Sequence, residues 1–277
     1  MADLRCLIAL VLAGVPAGFR QLALADALVL PRAEAAFDRG TKARSHPAEA
    51  KRDFQEAATY YQALVNDGYR NAELYRNLGN ASLLAGDLPR AILAYRSGLR
   101  LAANGRVLYS NLAMARERVS YPEPGPFARP AADTRPPWLP YVPPLWRLAA
   151  VMTAYSLAWM ALTRWRMMRQ RRLLGAAGLL GVISLLLGAS LAADCWKARE
   201  ESRHPLIVIA DDGVLLRRGN GFKYPPRSEI PLNRGVEARL LFTRGDWLQI
   251  ELASGEIGWV WAAYTLSGDL GAKPGPH

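Results

Sequence analysis

The stretch "RWRMMRQRRLLGAAGLLGVISLLLGASLAA", residues 164–193, decides how the chain is organised. Its first nine positions hold five arginines, Arg164, Arg166, Arg169, Arg171 and Arg172. The 21 residues from Leu173 to Ala193 carry no charge, and at about 1.5 Å of helical rise per residue they cover the roughly 30 Å of hydrocarbon in a bilayer. The run before the arginines, "LAAVMTAYSLAWMALT" (148–163), is also uncharged. Tyr141, Trp146 and Arg147 extend it as an interfacial collar, the arginine reaching outward to headgroups. Two spans joined by so short a loop form a hairpin, with transmembrane helix 1 over residues 145–163 and transmembrane helix 2 over 173–193. Short loops rich in Lys and Arg stay in the cytoplasm. Residues 164–172 are therefore expected to form a cytoplasmic loop that sets topology, with both flanking regions on the extracytoplasmic side of a bacterial inner membrane.

That placement also settles the meaning of the charge. The 277 residues carry a formal net charge of +11, nearly half of it from these five arginines, and residues 194–277 are electrically balanced. A nucleic-acid binder displays its excess on a folded, soluble face that tracks phosphates. Arginines held against lipid do not, so nucleic acid is not an expected partner.

At the N-terminus, "MADLR" precedes an apolar core, "CLIALVLAGVPAGF", and an Ala23-Leu24-Ala25 site, the pattern of a signal peptide over residues 1–25. Arg20 and Asp3 depart from that pattern, and an uncleaved anchor is the alternative. Either permits export of the domain that comes after it. The chain has two cysteines, Cys6 in the leader and Cys195 at the end of the second span, so cleavage leaves no pair for an internal disulfide.

Between leader and membrane lies a repeat. "LYRNL" (74–78) returns as "LYSNL" (108–112), and Ala57 and Tyr61 precede Ala91 and Tyr95 at the same shift of 34 residues. That period marks stacked helical pairs. In "NAELYRNLGNASLLAGDLPRAILAYRSGLRLAANG", small residues Gly79 and Ala91 let two helices approach while Tyr75 and Tyr95 fill the space beside them, and "AGDLPRA" is the turn between. Pro89 suits an early helical position. The stretch resembles the tetratricopeptide repeat, and residues 33–118 are expected to hold about two and a half such repeats. The first copy has a good second helix (Phe54 to Val65) and a first helix loosened around "SHP". The last copy is a single capping helix, Val107 to Arg118, with a solvated outer face. Arg76, Asn77, Asn80 and Asn111 are the polar residues expected on the concave, peptide-binding face, where an arginine with asparagines can clamp a carboxylate or backbone. Asparagine in "NLGN" is equally ordinary repeat consensus.

Residues 119–144 form a linker: nine of the chain's nineteen prolines lie between 121 and 144, a density that favours an extended spacer. Beyond the hairpin, residues 204–266 read as five short strands, "LIVIA", "GVLLR", "VEARLLF", "WLQIEL" and "IGWVW". Alternation of Leu248, Ile250 and Leu252 with Gln249 and Glu251 indicates a sheet with one buried face. Five strands in so short a length suggest a small barrel. The order "GVLLRRGNG", "IPLNRGVEARLL", "RGDWLQIELASGEIGWVWAAYT" resembles the bacterial SH3-like domain. Tyr224, Trp247, Trp259 and Trp261 are candidates for a peptide or cell-wall groove, although one or two of them must instead close the core. "RGD" (244–246) is read as a hairpin turn. Residues 267–277 are expected to be a disordered tail.

The fold class is thus a multidomain membrane protein: an α-helical tetratricopeptide solenoid, a two-helix transmembrane hairpin and a small all-β SH3-like barrel. No hydrolase elbow, zinc-protease motif or phosphate-binding loop is present, and His46, His204 and His277 lack ligand partners at useful spacing. No enzyme activity, catalytic residue, metal or cofactor is therefore expected. The glycines of the second span, Gly175, Gly178, Gly181 and Gly188, are read as close helix packing. The order of parts, with "AELYRNLGNASLLAGDLPRAILAYRSGLRL", resembles the BatE-like tetratricopeptide proteins of bacterial aerotolerance operons. What the resemblance implies is a non-enzymatic scaffold in an envelope-stress complex, partnered by von Willebrand factor A-type membrane proteins and a MoxR-type ATPase. A peptidoglycan-binding sensor acting through the SH3-like domain is the alternative.

Overall fold

A computed structural model describes residues 17–102, 105–121, 130, 142 and 144–267. Residues 1–16 of the expected leader, most of the proline-rich linker and the expected tail after residue 267 lie outside the described residues. The chain forms two compact units, residues 1–132 with 206–277, and residues 133–205.

In the first unit five helices succeed one another, each packing on the next: α1 (Ala17–Lys42), α2 (Pro47–Asn66), α3 (Ala72–Ala85), α4 (Leu88–Leu101) and α5 (Arg106–Glu117). Helix α1 crosses the expected Ala25–Asp26 cleavage point without a break. The "SHP" residues do not loosen a helix. They form the connection itself, with a 3-10 turn over Ala43–Ser45 and Pro47 opening α2, where the missing N–H costs nothing. Local chemistry sets the turn between α3 and α4. Asn71 caps α3 by accepting from the Leu74 amide, and Gly86 ends it in the left-handed conformation. The Asp87 amide then reaches the Ser82 carbonyl, as in a Schellman motif, and the Asp87 carboxylate caps α4 at the Arg90 amide.

The close approach expected at Gly79 is present: a Cβ there would lie 2.4 Å from the ring of Tyr95, which is fully buried. Gly40 makes the same kind of contact with Phe54, at 2.9 Å. These are the small-to-large fits that set helix spacing in a close-packed interior.

The C-terminal part is an open five-stranded antiparallel sheet in the order β4-β3-β2-β1-β5. Its strands are β1 (Leu206–Ile209), β2 (Glu237–Arg244), β3 (Trp247–Leu252), β4 (Ile257–Trp261) and β5 (Thr265–Ser267). Two expectations change. "GVLLR" is not a strand, because its residues make only isolated bridges, Val214 to Leu232 and Arg217 to Pro226 and Trp259. The fifth strand is instead Thr265–Ser267, which pairs with β1. The closed barrel is accordingly a sheet whose β4 edge is covered at Arg217, where two backbone hydrogen bonds with Trp259 satisfy groups that an open edge would expose. The alternation in β3 holds, with Leu248, Ile250 and Leu252 buried. Gly245, with positive φ, opens the two-residue turn between paired Arg244 and Trp247.

Helices and sheet share one hydrophobic core. Around the seam, a Cβ on Gly235 would meet Val119 at 2.7 Å and Leu88 at 3.2 Å, and Asn233 donates to the Ser120 carbonyl. At its centre, Arg116 of α5 donates from Nε and Nη2 to the two carboxylate oxygens of Glu237, at 2.6 and 3.1 Å, and Arg96 of α4 adds a bond of 3.0 Å. The Arg116 and Glu237 side chains are 5% and 3% exposed. The last helix keeps the solvated face expected of it, with Val107, Ser110, Met114 and Glu117 exposed, and meets the sheet through Arg116 in its last turn, while α4 packs on β1 and β5.

The second unit is a helical hairpin of α6 (Pro144–Met168) and α7 (Arg171–Arg203), both long and apolar enough to cross a membrane. The helices run further than the uncharged stretches, so the arginine-rich loop shrinks to Arg169 and Gln170, with Arg169 at φ 56°. Arg164 and Arg166 lie in the last turns of α6, and Arg171 and Arg172 in the first turn of α7. Arg147 does not reach outward. It bonds Ser190 Oγ at 2.8 Å and pairs with Asp194 at 2.5 Å across the hairpin. Within the hairpin the four glycines are not at the helix contact, since a Cβ at Gly175, Gly178, Gly181 or Gly188 would meet nothing within 4 Å. Buried Ala154 and Ala177, and a bond from Ser184 Oγ to the Val151 carbonyl, are what the helices place between them.

Candidate functional site

The sequence points to two surfaces, one on the helices and one on the sheet. On the helices, Asn80 Oδ1 accepts from Tyr95 Oη and from Asn111 Nδ2, both at 2.9 Å. Asn80 and Asn111 thus come together, but in a bond that closes α3 onto α4 and α5. Arg76 is 2.8 Å from Glu73 on its own helix, and Asn77 is half-buried beside it. Burial holds the Tyr95 phenol well above its ordinary pKa, so it remains a donor to Asn80. Tyr61 is pushed up to about 12, first by burial and then by Glu34 and Asp38.

On the sheet, Trp247 begins β3 and Trp261 ends β4, and the antiparallel register sets them directly opposite each other. Buried Leu248 and Val260 force both indoles to the outer face. The loop after Arg217 brings Phe222 over them, its centroid 4.9 Å from that of Trp247 and 5.8 Å from that of Trp261, and Tyr264 stands 5.3 Å from Trp261 on the other side. All contacts are edge-to-face, the favoured geometry for aromatic quadrupoles. The result is a cleft of about 200 Å³, lined also by Asp212, Val214 and Arg217. Phe222 is 59% exposed, too open to be explained as core.

The other two expected aromatics lie elsewhere. Trp259 is on the same outer face as Trp261 but packs edge-on against Phe242. Tyr224 lies over Gly219, where a Cβ would come 2.6 Å from the ring, and contributes its carbonyl to Arg217. Phe222 and Tyr264 were not anticipated. The available signals were an aromatic beside the "GNG" turn and one three residues past Trp261. Arg217 was missed because an arginine in a supposed strand gives no local sign of its target.

Among the described residues no group of His, Cys, Asp and Glu is placed to hold a metal ion. The cleft offers apolar faces, a guanidinium and a paired carboxylate: the chemistry of binding.

No protein-family profile matches the chain. Over 53 residues it is 43% identical to the putative N-acetylmuramoyl-L-alanine amidase YrvJ of Bacillus subtilis (strain 168), a stretch that is 19% of this chain and 10% of that protein.

Proposed function

We propose that this chain is a membrane-anchored, non-enzymatic recognition protein that uses the Trp247–Trp261 cleft to bind the bacterial cell wall. The observation that carries the reading is the cleft itself, in which exposed Phe222 and half-buried Trp247 and Trp261 are fixed by cross-strand register and loop packing. Rigid aromatics bind at low entropic cost. The partial likeness to a protein named as a wall amidase, over a length comparable to that of the sheet module, supports this choice of ligand. The hairpin anchors the chain in the inner membrane with the extramembrane unit on the periplasmic side. The arginine-rich bend favours that topology, because short loops rich in Lys and Arg stay in the cytoplasm.

The test is sedimentation of the detergent-solubilised full chain with purified peptidoglycan sacculi. Trp261→Ala and Trp247→Ala should each lower the bound fraction at least about tenfold. Equal binding by wild type and both variants would remove the cleft from the reading.

A second reading is the scaffold role in a BatE-like aerotolerance complex, with the helices as tetratricopeptide repeats that engage von Willebrand A-type membrane proteins and a MoxR-type ATPase system. The 34-residue period and the exposed guanidinium of Arg76 favour it. Capture of such a subunit by wild type and its loss in Arg76→Glu supports that role.

A further inference from the structure

We infer that the cleft selects a short wall peptide ending in a free carboxylate, anchored by Arg217, over a neutral sugar chain; this rests on the wall-recognition reading of the same cleft. Arg217 is fixed from two directions. Its backbone N–H and C=O both bond Trp259, at 2.9 and 2.8 Å. Its Nη1 donates to the carbonyls of Phe222 and Tyr224, at 3.0 and 2.8 Å, and its guanidinium lies 5.5 Å from the centroid of the Phe222 ring. These contacts orient the guanidinium plane while leaving Nε and Nη2 for an incoming group.

The charges around the cleft then point to the ligand. Arg227 is paired with Glu256 at 2.5 Å, and Asp212, the acid beside the cleft, accepts from the Arg234 amide and stands 3.5 Å from its Nε. Arg217 has no carboxylate within 4 Å among the described residues. The cleft therefore presents an oriented cation, without a counter-charge, next to three aromatic rings. A planar guanidinium so held matches a carboxylate with two parallel hydrogen bonds, and the rings of Phe222, Trp247 and Trp261 can cover the small apolar side chains just before a peptide terminus. A neutral glycan can stack on indole but gives the cation nothing in return.

The experiment uses the full chain in nanodiscs and tryptophan fluorescence. The probes are acetyl-Lys-Ala-Ala with a free C-terminus, the same peptide as its C-terminal amide, acetyl-Ala-Glu-Phe acid, and chitotetraose. The free acid should bind about tenfold more tightly than the amide, an advantage that shrinks with added salt. Arg217→Gln should abolish that advantage and Arg217→Lys should keep part of it. The acid-against-amide comparison needs no variant, so it stands even if Arg217→Gln disturbs the loop at 222–224. Equal binding of acid and amide, or preferential binding of chitotetraose unaffected by Arg217→Gln, overturns the carboxylate anchor and leaves wall recognition standing if sacculi still sediment through Trp261. Tighter binding of the Phe-terminated peptide overturns the wall source in favour of protein C-termini. Failure of every probe, together with Trp261-independent sedimentation, overturns both.

Discussion

Arg116 and Arg217 are both arginines whose guanidinium groups are fixed by several hydrogen bonds, and the two regions around them are built to opposite ends. At the seam, Arg116 and Arg96 close on Glu237, and the Arg116–Glu237 pair is buried. At the cleft, Arg217 is fixed by neutral carbonyls, no carboxylate among the described residues lies within 4 Å of it, and the Phe222 ring beside it is exposed. A buried and satisfied charge cluster holds helices and sheet together, whereas an oriented charge without a carboxylate partner, beside an aromatic cleft, is placed to receive something. The helical face around Asn80 belongs with the first kind, since its amide oxygen is already occupied by Tyr95 and Asn111.

The largest test of that contrast is Glu237→Ala, which strips two guanidinium groups of their counter-charge. It should cost about 3–5 kcal/mol in denaturant unfolding while leaving affinity at the cleft, measured on the folded fraction, within about twofold. A cost below about 1 kcal/mol would break the distinction. Gly79→Ala probes the helical interior. Because Tyr95 is fully buried and cannot give way, overpacking should cost about 1–3 kcal/mol by thermal unfolding. Asn80→Ala should cost about 1 kcal/mol through the lost hydrogen bonds, which marks Asn80 as structural and makes Arg76→Glu the cleaner probe of the helical face.

The smallest effect is in pH. The folded phenols of Tyr95 and Tyr61 titrate above their ordinary value of 10.0. Their contribution is then complete below pH 10 and is lost as pH rises from there, through about 12 for Tyr61, because the unfolded chain releases those protons first. Tyr95→Phe should flatten the decline of stability above pH 10. An unchanged slope would mean that Tyr95 is not buried as described.

The hairpin could be read from uncharged length and clustered arginines, and the α3–α4 pair from Asn71, Gly86, Asp87 and the fit of Gly79 to Tyr95, because caps, turns and periodicity are local signals. Two aromatics of the cleft, Trp247 and Trp261, could be placed from strand alternation. Phe222, Tyr264 and Arg217 could not, because their meeting depends on how a long loop returns to the sheet edge.

The same reason divides the whole molecule. Local sequence specifies which residues turn inward on each helix and strand, where elements stop, and which segments suit lipid. It does not say against what a face is buried. Arg116, in the last turn of α5, has the local pattern of a solvated basic residue, yet it meets Glu237 121 positions later. Arg147 meets Asp194 47 positions later instead of a headgroup. The glycines of α7, which look like a packing stripe, have open space where the other helix of the hairpin would have to approach. Only the closing of the chain on itself brings distant charges and apolar faces within reach, and over a few ångströms that proximity makes one arginine structural and leaves another free to bind.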